Sequence, residues 1–182
     1  MKKLRFLQQV MKLKHIPRTG WVNKTIPNPE SVAGHVYGVA ILALTVPLPK
    51  GINRNKLVQM ALVHDLGEVH IGDAVWEHGK LSDENKGKTK DETEKLAVLS
   101  LFQKTGLNKV QKLVLEYIEH QSPTAKFLKE LDKLDMILEA LVYEERVHPQ
   151  HLDEFWENAE KYINDKNILR YFEALKKERK KN

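Results

Sequence analysis

The stretch Ser122-Pro123-Thr124-Ala125-Lys126-Phe127-Leu128-Lys129-Glu130-Leu131-Asp132-Lys133-Leu134-Asp135-Met136-Ile137-Leu138-Glu139-Ala140-Leu141 decides the fold. Ser122 followed by Pro123 is a helix start: the hydroxyl can accept from an amide of the first turn, and proline fits where its missing N–H costs nothing. Phe127, Leu128, Leu131, Leu134, Met136, Ile137, Leu138 and Leu141 then cover too broad an arc for a surface helix, so this helix is central. Inside it stand two carboxylates, Asp132 and Asp135. A carboxylate among leucines is expensive unless it is paired or bound to a metal. The spacing of three places both on one side, where either could be a ligand. The plain alternative for each is an ion pair with Lys129 or Lys133.

Outward from that helix the pattern stays helical. Phe6, Leu7, Val10, Met11 and Leu13 suit an amphipathic first helix. Residues 16–28, with Pro17 and Pro27, read as an extended loop. Asn28-Pro29 reads as a cap and first turn, and Val32, Val36, Val39, Ala40, Ala43 and Leu44 as a helix that Pro47 and Pro49 end. Asn53 can cap the next helix, with Leu57, Met60, Ala61 and Leu62 inward and Gly67 as its stop. Residues 72–90 read as a mobile loop. Helices are expected over 91–104, closed by Gly106, and from an Asn108 cap to about 120. Pro149 is expected to stop the central helix, and two more helices fit 149–163 and 166–180. No strand alternation, repeat or linker stands out. The expected fold is all-α, a single-domain irregular helical bundle of roughly six to eight helices.

Composition sets further limits. The chain has 182 residues, 41% of them hydrophobic and 30% charged, which suits one globular domain with a real core. It has no cysteine, so disulfides, thiolate metal sites and Cys-ligated deaminase chemistry are excluded. No apolar run approaches the length of a membrane span, and residues 1–14 lack a signal-peptide core, so a cytoplasmic protein with no membrane partner is expected. The net charge of +5 gathers partly at the two ends, at Lys2, Lys3 and Arg5 and at Lys176, Lys177, Arg179, Lys180 and Lys181. Basic ends without interleaved aromatics suit solvated, frayed helix termini better than a nucleic-acid surface.

The chemistry-bearing residues are few. A His-Asp dipeptide alone means little, but His64-Asp65 follows the apolar run 57–63 at an expected helix end. His35 lies among Val32, Val36 and Val39, where an imidazole must be satisfied or coordinating. Two His and two Asp make a mixed N/O donor set for a divalent ion, selecting poorly among Mn²⁺, Co²⁺, Zn²⁺ and Fe²⁺. Open positions on such an ion suit water and a phosphate oxygen. Glu68, four residues after His64, is either a non-ligating carboxylate of the kind proton transfer requires or a surface acid, and Asp73, on a loop, is either a site residue or a turn former. Arg18 could hold a phosphate in bidentate fashion, and Trp21 could stack on a base or sugar.

In order, these residues resemble a known family. His35, His64-Asp65 and Asp132 look like the metal-binding series of the HD-domain superfamily. Pro17-Arg18-Thr19-Gly20-Trp21, Asn28-Pro29-Glu30-Ser31-Val32, Ala61-Leu62-Val63-His64-Asp65 with Glu68, Gly72-Asp73, and Ala125-Lys126-Phe127 leading to Leu131-Asp132-Lys133 resemble the HD-domain 5′-deoxynucleotidases. These are the bacterial YfbR-type enzymes and the eukaryotic HD-domain-containing protein 2 group. The resemblance covers roughly residues 6–171 and implies one HD domain over 1–182, with a metal-binding core at about 28–142 and C-terminal helices at about 149–180. It implies His35, His64, Asp65 and Asp132 as ligands of one divalent ion, Co²⁺ or Mn²⁺ first, with Zn²⁺, Fe²⁺ or Mg²⁺ as alternatives. It implies Glu68 as the acid/base, Arg18 on the phosphate, and Asp73 on the sugar. It puts Trp21, Glu119, His35 and Asp132 among the substrate contacts. It also favours Asp132 over Asp135 through the Lys-x-Leu-Asp context. In YfbR-type enzymes the tryptophan directly follows the arginine, whereas here Thr19 and Gly20 intervene.

The implied activity is hydrolysis of deoxyribonucleoside 5′-monophosphates by a cytoplasmic homodimer. The competing readings are another HD phosphohydrolase, acting on cyclic nucleotides, alarmones or other phosphomonoesters, and a non-catalytic nucleotide-binding protein.

Overall fold

A computed structural model describes residues 2–73, 76–77, 80–81 and 90–180. The helix expected at the centre is there. It is α8, Pro123–Tyr143; the Ser122 hydroxyl accepts from the Ala125 amide at 3.1 Å, and Pro123 occupies its first turn. Leu128, Leu131, Leu134 and Ile137 are buried along it, and so are Asp132 and Asp135. Around it pack α3 (Val32–Thr45), α4 (Arg54–Ala61), α7 (Asn108–Glu119), α9 (Asp153–Tyr162) and α10 (Lys166–Arg179). The remaining helices are α1 (Lys2–Val10), α2 (Thr19–Asn23), α5 (Glu68–Ile71) and α6 (Lys90–Leu101), with short 3₁₀ segments at Met11–His15 and Pro149–Leu152. The architecture is all-α. Among the described residues eight helices have eight or more residues, at the upper end of the six to eight expected, and α2 and α5 are short additions. No helix among the described residues is long and apolar enough to cross a membrane.

Several boundaries differ from expectation, each for a visible reason. α3 starts at Val32, capped by Ser31, whose hydroxyl accepts from the Gly34 amide at 3.1 Å. Asn28 instead sits at φ 53°, a left-handed conformation that asparagine tolerates but a cap does not use. The extended backbone before α3 is held elsewhere: Arg18 N–H donates to Glu30 O (2.9 Å) and Val32 N–H to Ile16 O (2.8 Å). These bonds close residues 16–32 into a compact loop, and α2 forms inside it. Residues 16–28 are thus a closed loop containing a helix.

α4, capped by Asn53 as expected, stops at Ala61. His64-Asp65 therefore lies in a run of turns beyond the helix. Gly67 does not end that run; its φ of −61° is ordinary, and α5 begins right after it. Its value is room: a Cβ there would come within 3.3 Å of Val98 on α6. Gly72, at φ 72°, closes α5.

The loop expected over 72–90 is described only in part, and includes the short antiparallel pair Trp76–Glu77 (β1) and Lys80–Leu81 (β2). Leu107 rather than Asn108 precedes α7, and Asn108 is its first residue. α8 ends at Tyr143, ahead of Pro149, which instead opens a 3₁₀ turn. The end of α10 is not frayed at Arg179. That guanidinium bonds Glu144 (3.1 Å), Asp153 (2.6 Å) and the Pro149 carbonyl (2.8 Å), and lies over Trp156.

Apolar side chains gather in two clusters. The larger surrounds α8 and holds Trp21, Val39, Leu57, Met60, Trp156 and Phe172. The smaller holds Phe6, Val32, Leu66, Val98, Phe102 and Ile118. On α3, Val32 belongs to the smaller and Val39 to the larger, with His35 between. After α4, Met60 and Ala61 belong to the larger and Leu66 to the smaller, with His64-Asp65 between.

Candidate metal centre

His35 and His64 are buried, 1% and 4% exposed, and each is turned by a hydrogen bond at Nδ1. The His64 Nδ1 lies 2.7 Å from the Ala61 carbonyl, which can only accept, so this nitrogen carries the proton. The His35 Nδ1 lies 2.7 Å from Asp135 Oδ2. Both Nε2 atoms are thereby aimed at the same place, and neither has a hydrogen-bond partner. One ligand atom from each of His35, His64 and Asp132 falls within 4.8 Å of the others. Asp132 Oδ1 is 3.2 Å from His35 Nε2. Asp65 flanks this trio, with Oδ2 3.7 Å from His35 Nε2 and Oδ1 3.4 Å from His64 Nε2. The Asp65 Oδ2 is also buried without a hydrogen-bond partner. Two orphaned imidazole nitrogens and two carboxylates, buried and convergent, fit a divalent cation of borderline character.

The two aspartates of α8 thus have different places. Asp132 stands on the Nε2 side of His35 and Asp135 on the Nδ1 side. Asp135 is placed to fix the orientation of the His35 imidazole, as a carboxylate does for a histidine that would ligate a metal. It reaches its place because α3 carries Gly38 opposite: a Cβ at that position would collide with the Asp135 carboxylate. Asp135→Asn should weaken Co²⁺ binding by about 10–100-fold, measured by titration calorimetry. An unchanged affinity would show that Asp135 does not act on the site.

Electrostatics follow the same geometry. Burial and the Arg18 charge push His35 down, but the carboxylates of Asp132 and Asp135 outweigh them and raise it to about 9. A cation arriving at Nε2 would have to displace that proton. Burial holds His64 low, hence neutral. Burial pushes Asp65 and Asp132 up, yet both stay low and ionised: His64, His35 and Arg18 act on Asp65, and Lys129 and His35 on Asp132.

Beside the convergence point opens a cavity whose wall includes Arg18, Glu68, Asp73, Tyr117, Lys129 and Asp132. Arg18 Nη1 is 3.0 Å from Asp73 Oδ1 and 3.8 Å from Asp65 Oδ2. Burial works against its charge, but Asp73, Asp65 and Asp132 keep it firmly protonated. The Thr19 amide and hydroxyl also bond Asp73, so the Arg18-Thr19 segment and the Gly72-Asp73 turn hold each other. Glu68, the first residue of α5, lies on the wall outside the ligand trio.

Two expected substrate contacts are elsewhere. Trp21 is 2% exposed and packs on Tyr143 and Phe155, with its Nε1–H donated to Glu30 at 3.0 Å. Burial raises that Glu30 carboxyl to about 7 despite the Trp21 bond. The tryptophan plugs the core because α2 turns it inward, away from Arg18. Glu119, at the end of α7, faces outward and lies 3.7 Å from Lys95, while its neighbours Ile118 and His120 line the cavity. Sequence reading missed Gly38 and Lys129 as members of the site. A glycine three residues after a buried histidine, mid-helix, was the available signal for the first.

The profile of the HD domain family matches residues 10–175. The chain belongs to that family. Among curated relatives, this HD-domain protein is 34% identical over 180 residues to human 5′-deoxynucleotidase HDDC2, covering 98% of this chain and 87% of the relative. It is 36% identical over 146 residues to 5′-deoxynucleotidase hdd1 of Schizosaccharomyces pombe, covering 78% and 72%. Among solved structures, the PH0347 protein from Pyrococcus horikoshii OT3 superposes with a TM-score of 0.72 at 35% identity, covering 94% of this HD-domain chain and 95% of that one.

Proposed function

We propose that this HD-domain protein is a metal-dependent 5′-deoxynucleotidase, hydrolysing deoxyribonucleoside 5′-monophosphates to deoxynucleoside and phosphate. The observation that carries the reading is the convergence of two orphaned imidazole nitrogens and Asp132 on a wall shared with Arg18, Glu68 and Asp73. The relatives named 5′-deoxynucleotidase support the same substrate class.

His35, His64, Asp65 and Asp132 would hold one divalent ion, Co²⁺ or Mn²⁺ by resemblance. Such an ion, when bound, lowers the pKa of water and polarises a phosphoryl oxygen. Arg18 offers the phosphate a planar pair of donors and a charge that its buried acids keep in place. Glu68 takes the proton of the attacking water. Asp73, pinned by Arg18 and Thr19, meets the sugar and disfavours a 2′-hydroxyl. A cytoplasmic location and homodimeric assembly belong to the same proposal, through the family resemblance.

Phosphate release from dAMP and AMP by Co²⁺- or Mn²⁺-loaded protein tests reaction and sugar selection together. Release from dAMP, at least about ten-fold faster than from AMP, is the expected result, one energy step of about 1.4 kcal/mol. Tight dAMP binding with no phosphate released would turn the protein into a binding module. Release from cyclic nucleotides alone would make it a different HD phosphohydrolase.

A further inference from the structure

Lys129 has no place in the mechanism above, yet it lies on the cavity wall. It sits on α8 one turn before Asp132, and its Nζ is 3.1 Å from Asp132 Oδ2. The other oxygen, Oδ1, faces His35 Nε2 at 3.2 Å. The Tyr117 hydroxyl donates to Oδ2 as well, at 3.4 Å. So one oxygen of Asp132 is turned to the metal position and the other is held by two donors. The Lys129 ammonium also rests 5.7 Å from the centre of the Tyr117 ring, which confines it to this wall. An ammonium has three donors, and Asp132 takes one of them.

Charge makes the case for a second duty. The acids about the cavity are Asp65, Glu68, Asp73, Glu94 and Asp132. Against five carboxylates, a divalent ion, Arg18 and Lys133 supply four positive charges. A phosphomonoester adds close to two more negative ones at neutral pH. A dianion entering such a place needs a further cation at the wall, and a rotating ammonium point charge suits a phosphate oxygen whose position shifts during reaction. Burial opposes the Lys129 charge, but Tyr117 and Asp132 keep it protonated.

We propose that Lys129 is a second phosphate-holding cation, acting with Arg18, while the same ammonium keeps Asp132 presenting a single oxygen to the metal position. The proposal rests on the phosphomonoester reading of the site, but not on deoxynucleotide turnover.

The test is direct binding of inorganic phosphate to the Co²⁺-loaded protein by calorimetry, for the starting protein, Lys129→Met and Lys129→Arg, alongside Co²⁺ affinity and KM and kcat for dAMP. Lys129→Met should weaken phosphate binding and raise KM by about ten-fold or more, the loss of one hydrogen bond to a charged group. Its Co²⁺ affinity should fall less than its phosphate affinity. Lys129→Arg should restore phosphate binding to within a few-fold. Phosphate affinity unchanged in Lys129→Met overturns the proposal, whatever happens to Co²⁺ binding. If the starting protein binds phosphate but releases none from dAMP, the nucleotidase reading fails while the phosphate measurement still decides on Lys129.

Discussion

Glu68→Gln lowers kcat for dAMP by roughly 10²–10⁴-fold, the span removed with a positioned acid/base group, while the variant still takes up one Co²⁺ per chain. Glutamine keeps the shape and hydrogen-bonding reach of the side chain and loses only its capacity for a proton. Glu68 stands outside the trio His35, His64 and Asp132, so cation affinity should hold within a few-fold. Glu68 opens α5, three residues after Asp65, so the turn that carries the proposed ligand also brings the proposed base to the same wall. Single-turnover phosphate release with parallel calorimetry separates the two properties. A variant that keeps near-normal kcat removes Glu68 from proton transfer. One that loses Co²⁺ as well makes it part of the metal-binding machinery instead.

Gly38→Ala destabilises the protein by about 2–4 kcal/mol and weakens cation binding with it. An alanine in mid-helix normally stabilises relative to glycine by about 1 kcal/mol. Here the added methyl would run into the Asp135 carboxylate, which is 8% exposed and has nowhere comparable to go. Overpacking costs about 1–3 kcal/mol. Displacing Asp135 also strips His35 of its Nδ1 partner, a buried charged hydrogen bond worth about 1.5–3 kcal/mol. Gly34, one turn earlier, is the control. A Cβ there meets nothing nearer than 3.7 Å, so Gly34→Ala should be neutral or raise stability by up to about 1 kcal/mol. Opposite signs for the two alanines, in paired denaturant melts, are the expected result; equal stabilisation would show that α3 and α8 do not meet as tightly as described.

Local signals in the sequence were strong where one residue type had one use. Ser122-Pro123 and Asn53 announced their helices because no competing structure claims those residues. Asn28-Pro29 misled because Ser31 follows within the same stretch, and the Pro17–Ser31 pairing pulls residues 29–31 into extended backbone before any helix can start. That preference is tertiary and leaves no local trace. The candidate series His35, His64-Asp65 and Asp132 was legible as polar residues in apolar surroundings, and the resemblance ordered them as proposed ligands. The separate duties of Asp132 and Asp135 were not, since the choice depends on which imidazole nitrogen each meets across α3. Trp21 shows the limit of residue type alone: an aromatic beside an arginine suits a pocket as well as a core, and only the turn of α2 sends it inward.

His35 and His64-Asp65 stand where two stretches of chain step from the one apolar cluster into the other. Whatever grips both imidazoles therefore rivets the halves of the bundle together, and loading the enzyme and completing its tertiary structure become a single linked equilibrium. Starvation for the ion would then be felt twice over, as idle protein and as protein easier for a protease to open.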